Sequence, residues 1–340
     1  ELAVRNITKA DDGKTPVSVD ITYGAADFAR TLYVCWGRDC GTTMADWAQC
    51  RQLGVVSPHS VKMTATIPDD IRSDLVSRGF RLFIGYTTAK DYVQTGLVAL
   101  YDCRENVGWN TFNGSATVWR NLVSDDRDTD LTLNTAGTPP DKFETDNVHL
   151  ANSIYRKSTK AAVASEGDTI SMEFNMKPPT TTGVEKWFAV VGGLGRVGFR
   201  GGAGTLEVGH PQSNGKYCLR WFGDLFPTDS TYHTYTAKDF NRAGSMVNKA
   251  WLDGVQKNQT GEYGDGGNTT DTDYKFKLGF DNQVNLDLRT VRIYNKALTT
   301  DEIAQNRAVD VSRFEGGAPI HCEASAFTRA NKIGVFIVVE

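Results

Sequence analysis

Residues 170–177 read Ile-Ser-Met-Glu-Phe-Asn-Met-Lys, apolar and polar in strict turn. Successive side chains of a strand point to opposite faces. This run is therefore a strand with Ile170, Met172, Phe174 and Met176 in a core and Ser171, Glu173, Asn175 and Lys177 on the other face. A similar period of two runs through residues 17–23, 29–34, 61–67 and 80–84. With 33 glycines against 10 prolines in 340 residues, and few segments holding a helical period, the chain is expected to be all-β with many turns.

Carried forward, the parity places Phe188, Val190, Val197, Phe199, Leu206, Val208, Leu219 and Trp221 inward. The opposite face then displays Trp187, Arg196, Arg200, Glu207, Lys216 and Arg220. Sugar rings present C–H faces that stack on indoles, and arginine forks donate paired hydrogen bonds to carboxylates and sulfates. Trp187, Arg196, Arg200, Glu207 and Arg220 are thus the candidate ligand-binding residues of a concave glycan site biased toward acidic sugars. The alternative is a solvated sheet face with cross-strand ion pairs such as Arg200 with Glu207. A slip of one residue in register would send every one of these side chains to the other face.

Residues 286–314 combine a strand, Val291-Arg292-Ile293-Tyr294, with a tight connection and a helix start. Thr299 and Glu302 fit the capping box, in which hydroxyl and carboxylate each satisfy an unpaired backbone N–H. Ile303, Ala304, Ala308 and Val311 then form a short apolar stripe that docks one face. The run VRIYNKALTTDEIAQNRAVD resembles the closing signature of laminin G-like, concanavalin A-like jelly rolls of bacterial surface and secreted proteins. A first strand at 96–102, Trp119-Arg120-Asn121-Leu122 after it and a late hairpin at Trp251-Leu252-Asp253-Gly254-Val255 fall in the matching order. What the resemblance implies is a scaffold used mostly to bind glycans or matrix proteins, with a minority of glycosidases and lyases. It also implies a calcium ion at a loop rim. Asp125, Asp126, Asp128 and Asp130 are candidates, as are Asp265, Asp271 and Asp273, with ordinary solvated turns as the alternative because no D-x-[DN]-x-[DN]-G loop occurs.

The expected organisation is a small N-terminal immunoglobulin- or fibronectin-like sandwich at 1–94, a jelly roll with one short C-terminal helix at 95–314, and a β extension or further module at 315–340. Residues 87–94 serve as linker. A short helix is expected between Pro68 and Gly79, with Ile71 and Leu75 four apart. Trp36 and Trp47 are read as packing residues. The run from Ile333 to Val339 is β-prone and is expected to be covered.

Six cysteines allow up to three disulfides, with free buried thiols as the alternative; the proximity of Cys35, Cys40 and Cys50 suggests at least one local bridge, and zinc is disfavoured because no pair of close cysteine pairs exists. With Lys+Arg 37 against Asp+Glu 41 and no basic block, nucleic acid is not an expected partner. No apolar run approaches bilayer length. The chain starts at Glu1, and a secreted or cell-surface product with its signal peptide removed is expected.

Gly193-Leu194-Gly195-Arg196-Val197-Gly198 matches GxGxxG but is followed by a strand and turn, so it reads as a β-turn and not as a dinucleotide loop. Glu166-Gly167-Asp168 resembles the start of a glucanase carboxylate run, but the next carboxylate is Glu173, too late for that spacing. The histidines are scattered and no G-x-S-x-G elbow occurs. The reading is a non-catalytic lectin-like protein that takes glycans or glycoproteins. A glycosidase or lyase on the same sandwich, and a protein-binding adhesion module, are the alternatives.

Overall fold

The computed structural model describes residues 2–26, 29–37, 43–137, 139–151, 157–178, 186–200, 205–211, 216–223, 230–241, 248–264, 272–279, 285–330 and 336–339. The fold is all-β, built of antiparallel sheets, with a 15-residue helix, Thr300–Phe314, after a long strand, Leu286–Tyr294. Two compact units are formed: one by residues 1–88 with 311–340, the other by residues 89–310. The sequence places the expected boundaries at 94/95 and 314/315.

In the first unit a three-stranded sheet (Ala3–Lys9, Pro16–Thr22, Lys62–Thr66) and a six-stranded sheet share one core that includes Val19, Ile21, Leu32, Val34, Phe80 and Leu82. The helix expected between Pro68 and Gly79 is present as Arg72–Arg78, with Leu75 buried. Gly79 ends it at φ +71°, donating its N–H to the carbonyl of Leu75. Phe327–Ala330 and Phe336–Val339 pair with each other and extend the six-stranded sheet through Phe80–Tyr86, so the described part of the C-terminal apolar run lies in a ladder. His321–Ala324 pairs with Phe80–Tyr86 as well. Cys35 and Cys50, directly opposed on Arg30–Trp36 and Gln49–Val56, form a disulfide. Cys40 lies outside the described residues. Trp36 and Trp47 are buried, Trp47 against Phe83 and Phe327.

The second unit is a two-sheet sandwich. One sheet is centred on Ile170–Met176, flanked by Leu286–Tyr294 and His233–Phe240. The other runs Lys157–Ser158, Phe276–Leu278, Lys186–Val191, Gly195–Arg200, Thr205–Pro211, Tyr217–Phe222, Gln259–Tyr263. Between them Phe174, Phe188 and Phe199 pack ring on ring, Phe188 on Phe199 with centroids 4.5 Å apart. The period-two reading of Ile170–Met176 holds on its core side. At the late hairpin Asp253 (φ +51°) and Gly254 (φ +79°) make the turn, with Leu252 opposite Val255. Two consecutive left-handed residues match the twist of the flanking strands. The GxGxxG run is a hairpin bend, where Gly193 sits at φ +74° and a Cβ at Gly195 would meet Phe240 at 2.2 Å.

Two local expectations fail. Of the linker expected at 87–94, Ala89, Tyr92 and Val93 are instead buried within the second unit. The helix has the expected start, since Thr299 N–H donates to Glu302 (2.9 Å) and Glu302 N–H to the Thr299 hydroxyl (3.2 Å). Its docking face differs, however. Ala304 and Ala308 are exposed, and Ile303, Asn306, Val309 and Asp310 go inward. Two of these four are polar, and a network described below satisfies them.

Candidate functional site

The outer face of the seven-stranded sheet carries the expected constellation only in part. Across the sheet one register row reads Trp187, Gly198, Glu207, Trp221, Gly261, and the next reads Val190, Arg196, Gly209, Leu219, Tyr263. Trp187, Arg196 and Glu207 are therefore on one face, as expected. The guanidinium of Arg196 lies 3.8 Å from the Trp187 ring centroid and 4.2 Å from that of Tyr217. It reaches Tyr217 by crossing Gly209, where a Cβ would meet its Cγ and Nε at 2.9 Å. A cation held between two rings is attracted by both quadrupoles, so this stack is a rigid layer of the face. Trp187 is only 6% exposed.

Arg220 does not belong to this face. It stands opposite Val208, on the same side of its strand as Phe222, which is part of the inter-sheet core. Its ion-pair partner is Glu262 on the neighbouring strand, with Nε 3.5 Å from the carboxylate. Leu219 and Trp221, expected inward, point outward. Residues 217–222 are apolar on both sides apart from Arg220, so alternation alone gave no direction. The ladder with Thr205–Pro211 decides it, placing Leu206 against Phe222. Val190 is also reversed. A bulge between Trp187 and Ala189 adds one residue, so Phe188, Ala189 and Val191 all reach the core while Val190 joins the Arg196 row. Arg200 is paired through its backbone with Thr205, and its side chain lies outside what is described.

The residues that sequence reading missed are Trp221 and Tyr263. The Trp221 ring lies flat on Gly261, where a Cβ would come within 2.2 Å of the indole. Its N–H donates to Glu207 Oε1 at 3.0 Å. Tyr263, 53% exposed, follows two residues after Gly261 on the same face. Glycines at 198, 209 and 261, each opposite a large side chain, were the available signal. A row that alternates glycine with aromatic or arginine is one in which rings lie down on the sheet.

Glu173 faces away from the inter-sheet core, as its parity requires, but it is fully buried. Arg292 Nε donates to it at 3.0 Å, the Asn306 amide at 2.6 Å and the Thr236 hydroxyl at 2.8 Å. Burial raises its pKa, Arg292 opposing. Arg292 forks onto Asp310 at 2.8 and 2.9 Å, and Asp310 also accepts from Tyr92 (2.7 Å) and Thr234 (2.6 Å). For Asp310 burial pushes upward, and Arg292 with the donated hydrogen bonds outweighs it, holding the pKa below the usual range. This sealed network fastens the helix and presents no carboxylate pair to a substrate.

Among the described residues no group of three or more His, Cys, Asp or Glu could hold a metal ion. In the acidic run the carboxylates make local contacts. Asp126 accepts from Asp128 N–H, Asp130 accepts from Asn121 N–H, and Asp128 lies 3.8 Å from Lys160. Asp265 and Asp271 lie outside the described residues. No helix among the described residues is long and apolar enough to cross a membrane.

No family model matches the chain, and no curated protein matches it. Among solved structures it is similar to the botulinum neurotoxin serotype D binding domain (TM-score 0.41, 16% identity, 64% of this chain and 53% of that one). It is also similar to the botulinum neurotoxin type G receptor binding domain (0.39, 13%, 64% and 52%). A third is the binding domain of Paraclostridial Mosquitocidal Protein 1 (0.37, 11%, 63% and 52%). The chain spans about half the length of these structures, and likeness at this level carries no argument about the site.

Proposed function

We propose that residues 89–310 form a carbohydrate-binding module and that the sugar stacks on Trp221 beside Tyr263. The observation that carries this reading is the lie of the indole: one ring face rests on Gly261, and Glu207 fixes the N–H. Such a ring is positioned before a ligand arrives, so little side-chain entropy is lost on stacking. The Trp187–Arg196–Tyr217 layer supports the sheet beneath and beside it. The laminin G-like resemblance of the closing strand and helix points the same way. A secreted or cell-surface setting is part of the proposal, supported by the Cys35–Cys50 disulfide, a bond that persists in oxidising compartments.

The test is a glycan array with the whole chain, run with calcium and again with a chelator, followed by titration of a binding glycan into Trp221→Ala. Selective binding that falls about fivefold or more in the variant supports the platform, since loss of one stacked ring is worth roughly 1–3 kcal/mol. Loss under chelation adds a metal to the proposal. Binding unaffected by Trp221→Ala rules out this site. No binding to any glycan transfers the face to a protein partner.

A further inference from the structure

Trp221 and Tyr263 stand at an edge of the seven-stranded sheet. Among the described residues the Gln259–Tyr263 strand is the last member of that sheet, pairing with Tyr217–Phe222 on one side only. Gln259, Thr260, Glu262 and Tyr263 are exposed along it, and Trp221 is partly exposed beside it. Further in, the same face is closed, since Trp187, Glu207, Tyr217 and Leu219 are buried. A ligand therefore meets this face at its edge, on two rings, and needs no cavity to reach them.

Register sets the spacing of the rings. Gly261, on which the indole rests, stands opposite Trp221, and Tyr263 stands opposite Leu219, so Gly261 and Tyr263 are two residues apart on one face. Two residues of a strand span roughly 6–7 Å. Rings set that far apart along an edge are met by neighbouring units of one chain, each laying its C–H face on one ring.

Charge sets the class of sugar. The three strands nearest the platform hold three charged side chains, Glu207, Arg220 and Glu262. Glu207 is 1% exposed and accepts from the Trp221 indole. Arg220 is buried on the other side of the sheet. Glu262, with its side chain 47% exposed, is the accessible one, and the Gln259 amide holds its pKa below the usual carboxylate range. It sits between Gly261 and Tyr263 in the chain, where it repels a second anion. Arg196 is remote: its guanidinium lies against Tyr217, four residues and so roughly 13 Å along the strand from Trp221, with Trp187 on it as well. Acidic sugars are held by arginine forks, and none is placed at this edge among those three strands.

We propose that the Trp221 and Tyr263 edge takes a neutral oligosaccharide chain of at least two units and discriminates against acidic sugars. The inference rests on the reading of Trp221 as a platform and names the ligand class of that same site.

The experiment is an array of mono- to hexasaccharides, with neutral gluco-, xylo-, manno- and galacto-series beside uronate, sialate and sulfated ones. It is probed with the whole chain as wild type, Trp221→Ala, Tyr263→Ala and Tyr263→Phe, and the printed sugars that bind are then titrated by calorimetry, with thermal unfolding of each variant as a folding control. Neutral chains are expected to bind more tightly than their own monosaccharides. Tyr263→Ala is expected to weaken a chain about fivefold or more, the worth of one stacked ring, while Tyr263→Phe retains the affinity. Tyr263 is 53% exposed, so this readout does not depend on whether Trp221→Ala folds. Raising ionic strength from about 0.1 to about 1 M cuts the Debye length from about 10 to about 3 Å and is expected to leave the affinity within about twofold. Trp221-dependent binding confined to acidic sugars overturns the inference and leaves the platform standing. A monosaccharide bound as tightly as its chain, or a chain indifferent to Tyr263→Ala, overturns it in the same way. No binding to any sugar, or binding that survives both alanine variants, overturns the inference and the platform together.

Discussion

The two sheets of the second unit carry closely similar rows on their outer faces and use them in opposite ways. One row reads Leu100, Arg292, Glu173, Thr236, Trp251, and the other Trp187, Gly198, Glu207, Trp221, Gly261. Each holds a buried glutamate and at least one tryptophan. On the first, the helix and residues 89–94 close over the row and fill it with donors: Asn306 binds both Glu173 and Tyr294, and Val93 N–H donates to Asn306 Oδ1 at 2.8 Å. On the second, glycines let rings and a guanidinium lie along the sheet, and Tyr263 stays exposed. A charged side chain pointing away from a sandwich core is thus no sign of a binding face. On the first row the helix brings hydrogen-bond partners of Glu173 and Arg292, and residues 89–94 donate to those partners.

The sharpest way to break the contrast is Arg292→Met. It leaves Glu173 and Asp310 buried without their cation and should cost about 3–5 kcal/mol in denaturant unfolding. A cost under about 1 kcal/mol would mean the network is not a stabilising seal. Trp187→Ala on the other face should cost about 3–5 kcal/mol through lost packing and cation–π contact, with partial recovery in Trp187→Phe.

Acid titration sharpens the difference further. The Asp310 pKa is depressed, so its contribution is complete above the unfolded value near 3.8 and is lost as pH falls through the folded one. The gap between wild type and Asp310→Asn should therefore be widest at pH 7 and close as pH drops below 3.8. Glu173 is raised, which has the opposite sign: its ionised form is the penalised one above 4.5. Glu173→Gln should accordingly be the milder substitution at pH 7, and equal costs would overturn this division of roles. Smallest is Tyr92→Phe, which removes one of the hydrogen bonds to Asp310 and should cost about 1–2 kcal/mol by the same unfolding measurement.

The contrast also marks where the sequence was legible. Thr299 with Glu302, the Asp253-Gly254 turn and the alternation at Ile170–Met176 are local signals, and each appears as read because its chemistry lies within a few residues. Side-chain direction at Val190, Leu219, Trp221 and Arg220 is not local. It depends on a one-residue bulge at Phe188 and on which neighbour a doubly apolar strand pairs with. The buried face of the helix departs from the expected stripe for a related reason. A stripe drawn from apolar residues alone could not include Asn306 and Asp310, whose burial is favourable only because Arg292, Glu173 and Tyr92 arrive from distant parts of the chain. The ladders put Trp187, Arg196, Glu207 and Trp221 on one side of the sheet and Arg220 on the other.

The strand Phe80–Tyr86 is flanked on one edge by Arg30–Trp36 and on the other by His321–Ala324 and Phe327–Ala330. Every residue of the second unit is synthesised between those partners. At about 5–20 residues per second a ribosome takes on the order of ten to fifty seconds to cross the interval. Throughout it, Phe80, Leu82 and Ile84 belong to a sheet that lacks its last strands. Of the two units, the one begun earlier is then completed later, and a nascent chain halted anywhere before His321 carries an open edge for chaperones to hold.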